Sequence, residues 1–330
     1  MTPTPPLLAV EDLTVRYRTD AGPVTAVENL SFEIAPGSTL GIVGESGSGK
    51  TAASLALMGL LPRTAEVTGS ARLHGQELLG RPDSAMRAIR GRRIAVIFQD
   101  ALSALNPMMT IGAQLAEAVR VHDRTRTSGE LRERAVELLD LVGIPSPAAR
   151  LDQYPHEYSG GMRQRALIAM GIANDPDILV ADEPTTALDV TVQAQVLDVI
   201  RRVQERTGTA VLLITHDLGV VAGLADRIMV MYAGAKLEEG DVEQVFYRPA
   251  HPYTRGLLAA LPRIDRRLAR LEPIPGQPPR PHDRPGGCLF QARCRHADPG
   301  RCTQPLPAPA EVSAGHLTNC VRVHEIASAG

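Results

Sequence analysis

Gly44-Glu45-Ser46-Gly47-Ser48-Gly49-Lys50-Thr51 matches the spacing G-x-x-x-x-G-K-[ST] at every fixed position. Glycines let such a loop curl until successive backbone N–H groups point inward and form an anion nest. A helix that follows turns its positive end toward the same anion. In that frame Lys50 reaches the β- and γ-phosphates of a nucleotide, and the Thr51 hydroxyl offers one Mg²⁺ position. The bland alternative is a Gly/Ser turn. Against it, the apolar run Leu40–Val43 leads in and the helix-like Ala52–Met58 leads out, which is the context the motif requires. Lys50 and Lys236 are the only lysines among side chains otherwise made cationic by Arg. Position 50 therefore asks for an ammonium.

Asp182-Glu183 is the second pair able to do chemistry. It closes Asp177–Asp182, an apolar run bounded by acids, as expected of a central parallel strand covered on both faces. A carboxylate at the C-terminal edge of such a sheet can hold Mg²⁺ directly or through water, the role expected of Asp182. Glu183, one residue on, is placed to orient and deprotonate an attacking water. The competing reading is an acidic pair that caps the next helix.

The elements that must position these groups are legible in outline. Leu7–Arg16 and Val24–Ile34 alternate as strands do, and Pro36-Gly37 turns the chain into the strand before the loop. Val67–Leu73, Arg92–Phe98 and Thr209–Thr215 are further expected strands. From about 100 to 176 the pattern is helical. Thr127 and Glu130 make a capping box, and Leu131, Ala135, Leu138, Leu139 and Val142 mark one face. Ser159–Ala173 is expected to form a second helix.

Composition bounds the rest. Three hundred and thirty residues with 44% hydrophobic content suit one large α/β domain plus an appendage. A net charge of −2 carries no nucleic-acid footprint. No apolar run reaches the roughly 18 residues of a membrane span. The opening Met-Thr-Pro-Thr-Pro-Pro lacks a basic and an apolar region, so the expectation is a cytosolic chain with reduced cysteines. Six prolines crowd Pro273–Pro285, which rules out regular helix or sheet there.

With Tyr158-Ser159-Gly160-Gly161-Met162, Gln99, Ala187-Leu188-Asp189 and His216, the motifs resemble those of ABC-type ATPases in the family's order. Met162 stands where Gln is commoner. The resemblance implies an α/β fold: a P-loop RecA-like ABC ATPase core, an antiparallel β subdomain and a helical signature subdomain, within residues 1–262. It implies ATP contacts from Tyr17, Gly44, Glu45, Ser46, Gly47, Ser48, Gly49, Lys50, Thr51, Gln99 and Asp182. Mg²⁺ is expected on Thr51, Gln99 and Asp182, with Glu183 and His216 catalytic and Asp189 in the D-loop. Ser159, Gly160, Gly161 and Met162 are expected to act on the ATP of a second subunit in a head-to-tail dimer.

Glu239-Gly240 and Phe246-Tyr247-Arg248-Pro249-Ala250-His251-Pro252-Tyr253-Thr254 narrow the resemblance to the ATPases of oligopeptide/dipeptide permeases. Nickel and glycopeptide importers share much of this pattern. The resemblance implies a homologous ATPase subunit as heterodimer partner, two membrane permease subunits and an extracytoplasmic peptide-binding protein. It implies a peripheral location on the cytoplasmic face of the bacterial membrane. A soluble ABC ATPase is the competing class, but those usually carry two cassettes or a nucleic-acid-binding insertion.

Residues 263–330 form the expected extension, with Cys288-x5-Cys294-x7-Cys302-x17-Cys320. The C-x2-4-C pairs usual in zinc sites are absent. Four thiolates suit an iron–sulfur cluster, although the spacing is not that of ferredoxins. Zinc and unligated thiols remain alternatives, and the family resemblance implies [4Fe–4S]. His296 and His316 are expected to be surface polar residues, and the boundary near 262 to separate the cysteines from the nucleotide site.

Overall fold

A computed structural model describes residues 5–98, 104–186, 188–261, 273–280, 282–305 and 308–327. In chain order the strands are β1 (Leu8–Thr19), β2 (Gly22–Ile34), β3 (Thr39–Val43), β4 (Ala65–Leu73), β5 (Gln76–Glu77), β6 (Ile94–Ile97), β7 (Ile178–Asp182), β8 (Ala210–Thr215), β9 (Arg227–Tyr232), β10 (Ala235–Asp241), β11 (Ala310–Ser313) and β12 (His316–Thr318). The longer helices are α1 (Lys50–Leu57), α2 (Ile111–Arg120), α3 (Ser128–Leu141), α4 (Gly160–Gly171), α5 (Val190–Thr207) and α6 (Pro252–Ala259). The described residues fall into two compact units, one drawn from the ranges 1–7, 34–39 and 80–214, the other from 8–33, 40–79 and 215–330.

In the first unit β6, β7 and β8 run parallel, with Ile94 opposite Ile178 and Ile178 opposite Ala210. Every residue of β7 and β8 is buried, which explains why these runs are apolar throughout rather than alternating. The helices of 111–171 carry the signature segment. Thr127 accepts from the Glu130 amide while the Glu130 carboxylate accepts from the Thr127 amide, so two orphan donors of α3 are satisfied together. Leu131, Ala135, Leu138 and Leu139 are buried on its inner face. Each leucine so removed from water contributes about 1.5–3 kcal/mol.

In the second unit one antiparallel sheet has the order β2-β1-β4-β5. Another sheet carries β11-β12-β10-β9-β3, with β3 parallel to β9 (Leu40 opposite Arg227). Loop and strand approach closely at Gly44, where a Cβ would stand 2.1 Å from the Met231 carbonyl oxygen. Only glycine fits.

Where described, 273–285 holds neither helix nor strand, as its prolines require, and the regular structure of the extension comes further along. Its β12 pairs with β10, Glu238 opposite Thr318. Glu238 is fully buried and accepts from the amides of Ala250 and His251, both at 2.8 Å. His316 Nε2 stands 2.7 Å from the same carboxylate. The surface reading of His316 is thereby corrected: it is 2% exposed. The antiparallel pairing of β12 carries it inward, and its neighbours in sequence give no sign of that.

Candidate functional site

The phosphate loop belongs to the second unit. Lys50 is 5% exposed, and its ammonium donates to the carbonyls of Gly44 (2.8 Å) and Glu45 (3.0 Å) and to Ser48 Oγ (3.4 Å). Gly49 has φ +95°, and a Cβ there would meet the Ala26 carbonyl oxygen at 2.3 Å, so the turn into α1 requires glycine. The α1 terminus has no side-chain cap and no acidic residue in its first turn. Helix N-termini normally recruit such groups. An uncapped positive terminus beginning with a buried ammonium fits the phosphates of ATP, and the exposed Thr51 hydroxyl fits a magnesium ligand.

Glu45 ties the loop down. Its amide donates to Tyr253 Oη at 3.0 Å, and its carboxylate takes Arg293 Nη1 at 2.8 and 3.1 Å. Tyr253, Tyr232 and Phe290 pack as an aromatic cluster, with centroids 4.7–5.4 Å apart. The expected separation of extension and loop does not hold, because Arg293 of the extension bonds directly to Glu45. Tyr253 and Arg293 were absent from the sequence-derived site. They lie 208 and 248 positions from Glu45, and no local spacing signals such a contact.

Tyr17, expected against the adenine, is half-buried in β1 opposite Ala65; burial raises its phenol above the usual range. His216 follows β8 and is exposed.

In the first unit Asp182 ends β7 and is 6% exposed. Glu183 has φ +49°, a left-handed conformation uncommon for a residue with a Cβ. Its amide donates to the Ile214 carbonyl at 2.8 Å, and its Oε2 accepts from Thr186 Oγ1 at 2.8 Å. Strain of this kind costs on the order of 1–3 kcal/mol and clusters at functional positions. Here it turns the chain out of β7 immediately after Asp182. Ser159 caps α4, its Oγ accepting from the Met162 amide at 3.3 Å. Ser159 and Gly160 are exposed, while Gly161 is buried and a Cβ on it would press to 2.8 Å from Val192. Asp189 caps α5 through the Val192 amide at 2.9 Å. Gln99 lies outside the described residues, as does Ala187.

The four cysteines line one small cavity of about 10 Å³ together with His251 and His296, room for about one water. Burial and the neighbouring sulfurs raise Cys288 to about 11; burial also raises Cys294 and Cys320. Thiols so shifted are protonated at neutral pH. Among the described residues no group of three or more His, Cys, Asp or Glu side chains stands close enough to hold a metal ion.

Comparison with known proteins defines the class first. A dimeric structure of MJ0796, "a Bacterial ABC Transporter Cassette", superposes with a TM-score of 0.64 at 27% identity, over 71% of this chain and 98% of that one. A dimeric post-hydrolysis state of the same cassette, bound to ADP and Pi, matches with the same score at 26% identity and the same coverage of both chains. Residues 27–186 match the family described as ABC transporter, and residues 237–302 match the oligopeptide/dipeptide transporter C-terminal region. The oligopeptide transport ATP-binding protein OppD of Haemophilus influenzae is 49% identical over 96% of this chain and 97% of its own length. A putative peptide import ATP-binding protein of Brucella abortus is 49% identical over 96% and 95%. OppD of Mycobacterium tuberculosis is 52% identical, but the chain spans only 52% of that protein. The chain belongs to the family of ATP-binding subunits of oligopeptide ABC transporters. Among the described residues no helix is long and apolar enough to cross a membrane.

Proposed function

We propose that this chain hydrolyses ATP to drive uptake of di- or oligopeptides, peripherally attached to the cytoplasmic face of the membrane. It works with two permease subunits, a homologous second ATPase and an extracytoplasmic peptide-binding protein. The observation that carries the reading is the phosphate loop, with a buried ammonium and an uncapped helix start, in a chain 49% identical to OppD over nearly its whole length. Lys50 binds the β- and γ-phosphates, and Thr51, Gln99 and Asp182 offer positions for magnesium, which neutralises charge on the phosphates when bound. Glu183 takes the proton of the attacking water, His216 keeps that water oriented, and Tyr17 stacks on the adenine. Ser159, Gly160, Gly161 and Met162 present the start of α4 to the γ-phosphate held by the second subunit, with Asp189 at the D-loop. Closure then depends on ATP and reopening on its hydrolysis.

Reconstitution with the permeases and binding protein in liposomes tests this. ATP turnover is expected to rise with di- or oligopeptides and to be accompanied by their accumulation. Stimulation by nickel or a glycopeptide instead would replace the substrate, and turnover that ignores every solute would remove the importer reading.

The cysteines carry a finer proposal. Cys288, Cys294, Cys302 and Cys320 would supply the four thiolates of a [4Fe–4S] cluster, a reading supported by their lining one cavity. As they stand they are not close enough together to hold a metal, so loading would have to draw the four sulfurs together around the iron. Loading must deprotonate thiols that burial has shifted upward, so occupancy is expected to grow as pH rises. With such a cluster bound, the four cysteines would crosslink a segment too poor in apolar residues for a core of its own. Anaerobically purified protein is expected to be coloured, with about four iron and four sulfide per chain. Colourless, iron-free protein of normal stability and transport activity would refute the cluster, and stoichiometric zinc would assign the thiols to zinc.

A further inference from the structure

All three polar groups of the Glu45 residue are committed. Its carbonyl accepts from Lys50 (3.0 Å), its amide donates to Tyr253 Oη (3.0 Å), and its carboxylate takes Arg293 (2.8 Å). The last two partners come from beyond residue 250, and both are rigidly held. Tyr253 is fully buried, and its own amide donates to His251 Nδ1 at 3.0 Å. The Arg293 side chain is 6% exposed. It donates from Nε to the Pro275 carbonyl (2.8 Å), from Nη2 to the Ile274 carbonyl (3.4 Å) and from Nη1 to Tyr232 Oη (3.3 Å). Its guanidinium lies 5.6 Å from the Tyr232 ring centroid and 5.9 Å from that of Phe290. A planar fork with this many fixed partners is far stiffer than a surface arginine.

Each strut also begins at the cysteine cavity. His251, two residues before Tyr253, and Cys294, adjacent to Arg293, both line it. The cavity lining is therefore one or two residues of chain from each side chain that bonds Glu45 of the phosphate loop.

We propose that Tyr253 and Arg293 are positioning residues of the nucleotide site, which hold the Gly44–Glu45 segment so that Lys50 and the loop amides meet the phosphates. This makes the extension an integral part of ATP binding. The inference rests on the reading that the loop binds ATP. Lys50 donates to the carbonyls of the same two residues, so releasing Glu45 releases the ammonium's own supports.

The test is equilibrium binding of a fluorescent ATP analogue with Mg²⁺ to the full-length chain, alongside thermal melting. Arg293→Ala is expected to raise Kd about 10-fold, which is about 1.4 kcal/mol. Arg293→Lys should recover only part of that, because an ammonium cannot serve the carboxylate, the phenol and two carbonyls together. Tyr253→Phe keeps the ring and packing, removes the acceptor for the Glu45 amide, and should raise Kd by several-fold with little change in melting temperature. Combining Arg293→Ala with Glu45→Gln should cost less than the two single losses added, since the unpaired carboxylate is gone. Wild-type affinity in folded Tyr253→Phe and Arg293→Lys, with additive double-variant losses, would overturn the proposal. Failure of the wild type itself to bind the analogue would refute the underlying ATP reading instead. If Arg293→Ala does not fold, Tyr253→Phe and Arg293→Lys decide the matter alone.

Discussion

Replacing Glu183 by Gln is expected to slow ATP turnover by about 10²–10⁴-fold, the range contributed by a positioned general base, while ATP affinity stays near wild type. The structure makes this a clean substitution. A carboxamide can keep the acceptor that Thr186 Oγ1 uses at 2.8 Å, and the backbone pays the same left-handed strain at φ +49° with either side chain. Only the capacity to accept a proton is lost. The loss should appear in kcat with the ATP KM nearly unchanged, as expected when an interaction made only in the transition state is removed. Single-turnover hydrolysis and ATP-dependent sizing of the assembled transporter measure it. The variant should accumulate in the ATP-bound, closed assembly. Unchanged turnover would move the base to another residue.

Lys50→Ala is expected to abolish detectable ATP turnover, with kcat/KM down by at least about 10³-fold, or roughly 4 kcal/mol of lost transition-state stabilisation. Here the effect has a second component. The ammonium supports the buried Gly44 carbonyl at 2.8 Å and the part-buried Glu45 carbonyl, which also accepts from the Ser48 amide, at 3.0 Å. Leaving the buried Gly44 carbonyl unsatisfied costs about 1–3 kcal/mol. The melting temperature of the nucleotide-free chain should therefore fall as well, which a residue that only touches phosphate would not cause. Lys50→Arg should not rescue turnover. The guanidinium is wider, presents a flat fork rather than a point charge, and must enter a site that leaves Lys50 only 5% exposed. Near-wild-type hydrolysis by either variant in the assembled transporter would remove Lys50 from the phosphate site.

The amino-acid sequence by itself determined what local chemistry determines. The phosphate loop, the Thr127 capping box, the helix expected from Ser159 and the uninterrupted apolar runs of β7 and β8 each state their structure within a dozen residues or so. Periodicity reports how one element buries its own face, and a glycine pattern reports a turn. Neither reports which distant side chain arrives on the other side. Burial of His316 against Glu238 depends on β12 pairing with β10 across 78 positions. The left-handed turn at Glu183 follows an ordinary strand, and its residue type does not announce it. The anchoring of Glu45 required Tyr253 of α6 and Arg293 of the extension to arrive from separate parts of the chain. His251-Pro252-Tyr253 was visible as a motif, yet its use was not. Hydrogen bonds and ion pairs are satisfied by proximity in space, and chain topology alone decides that proximity.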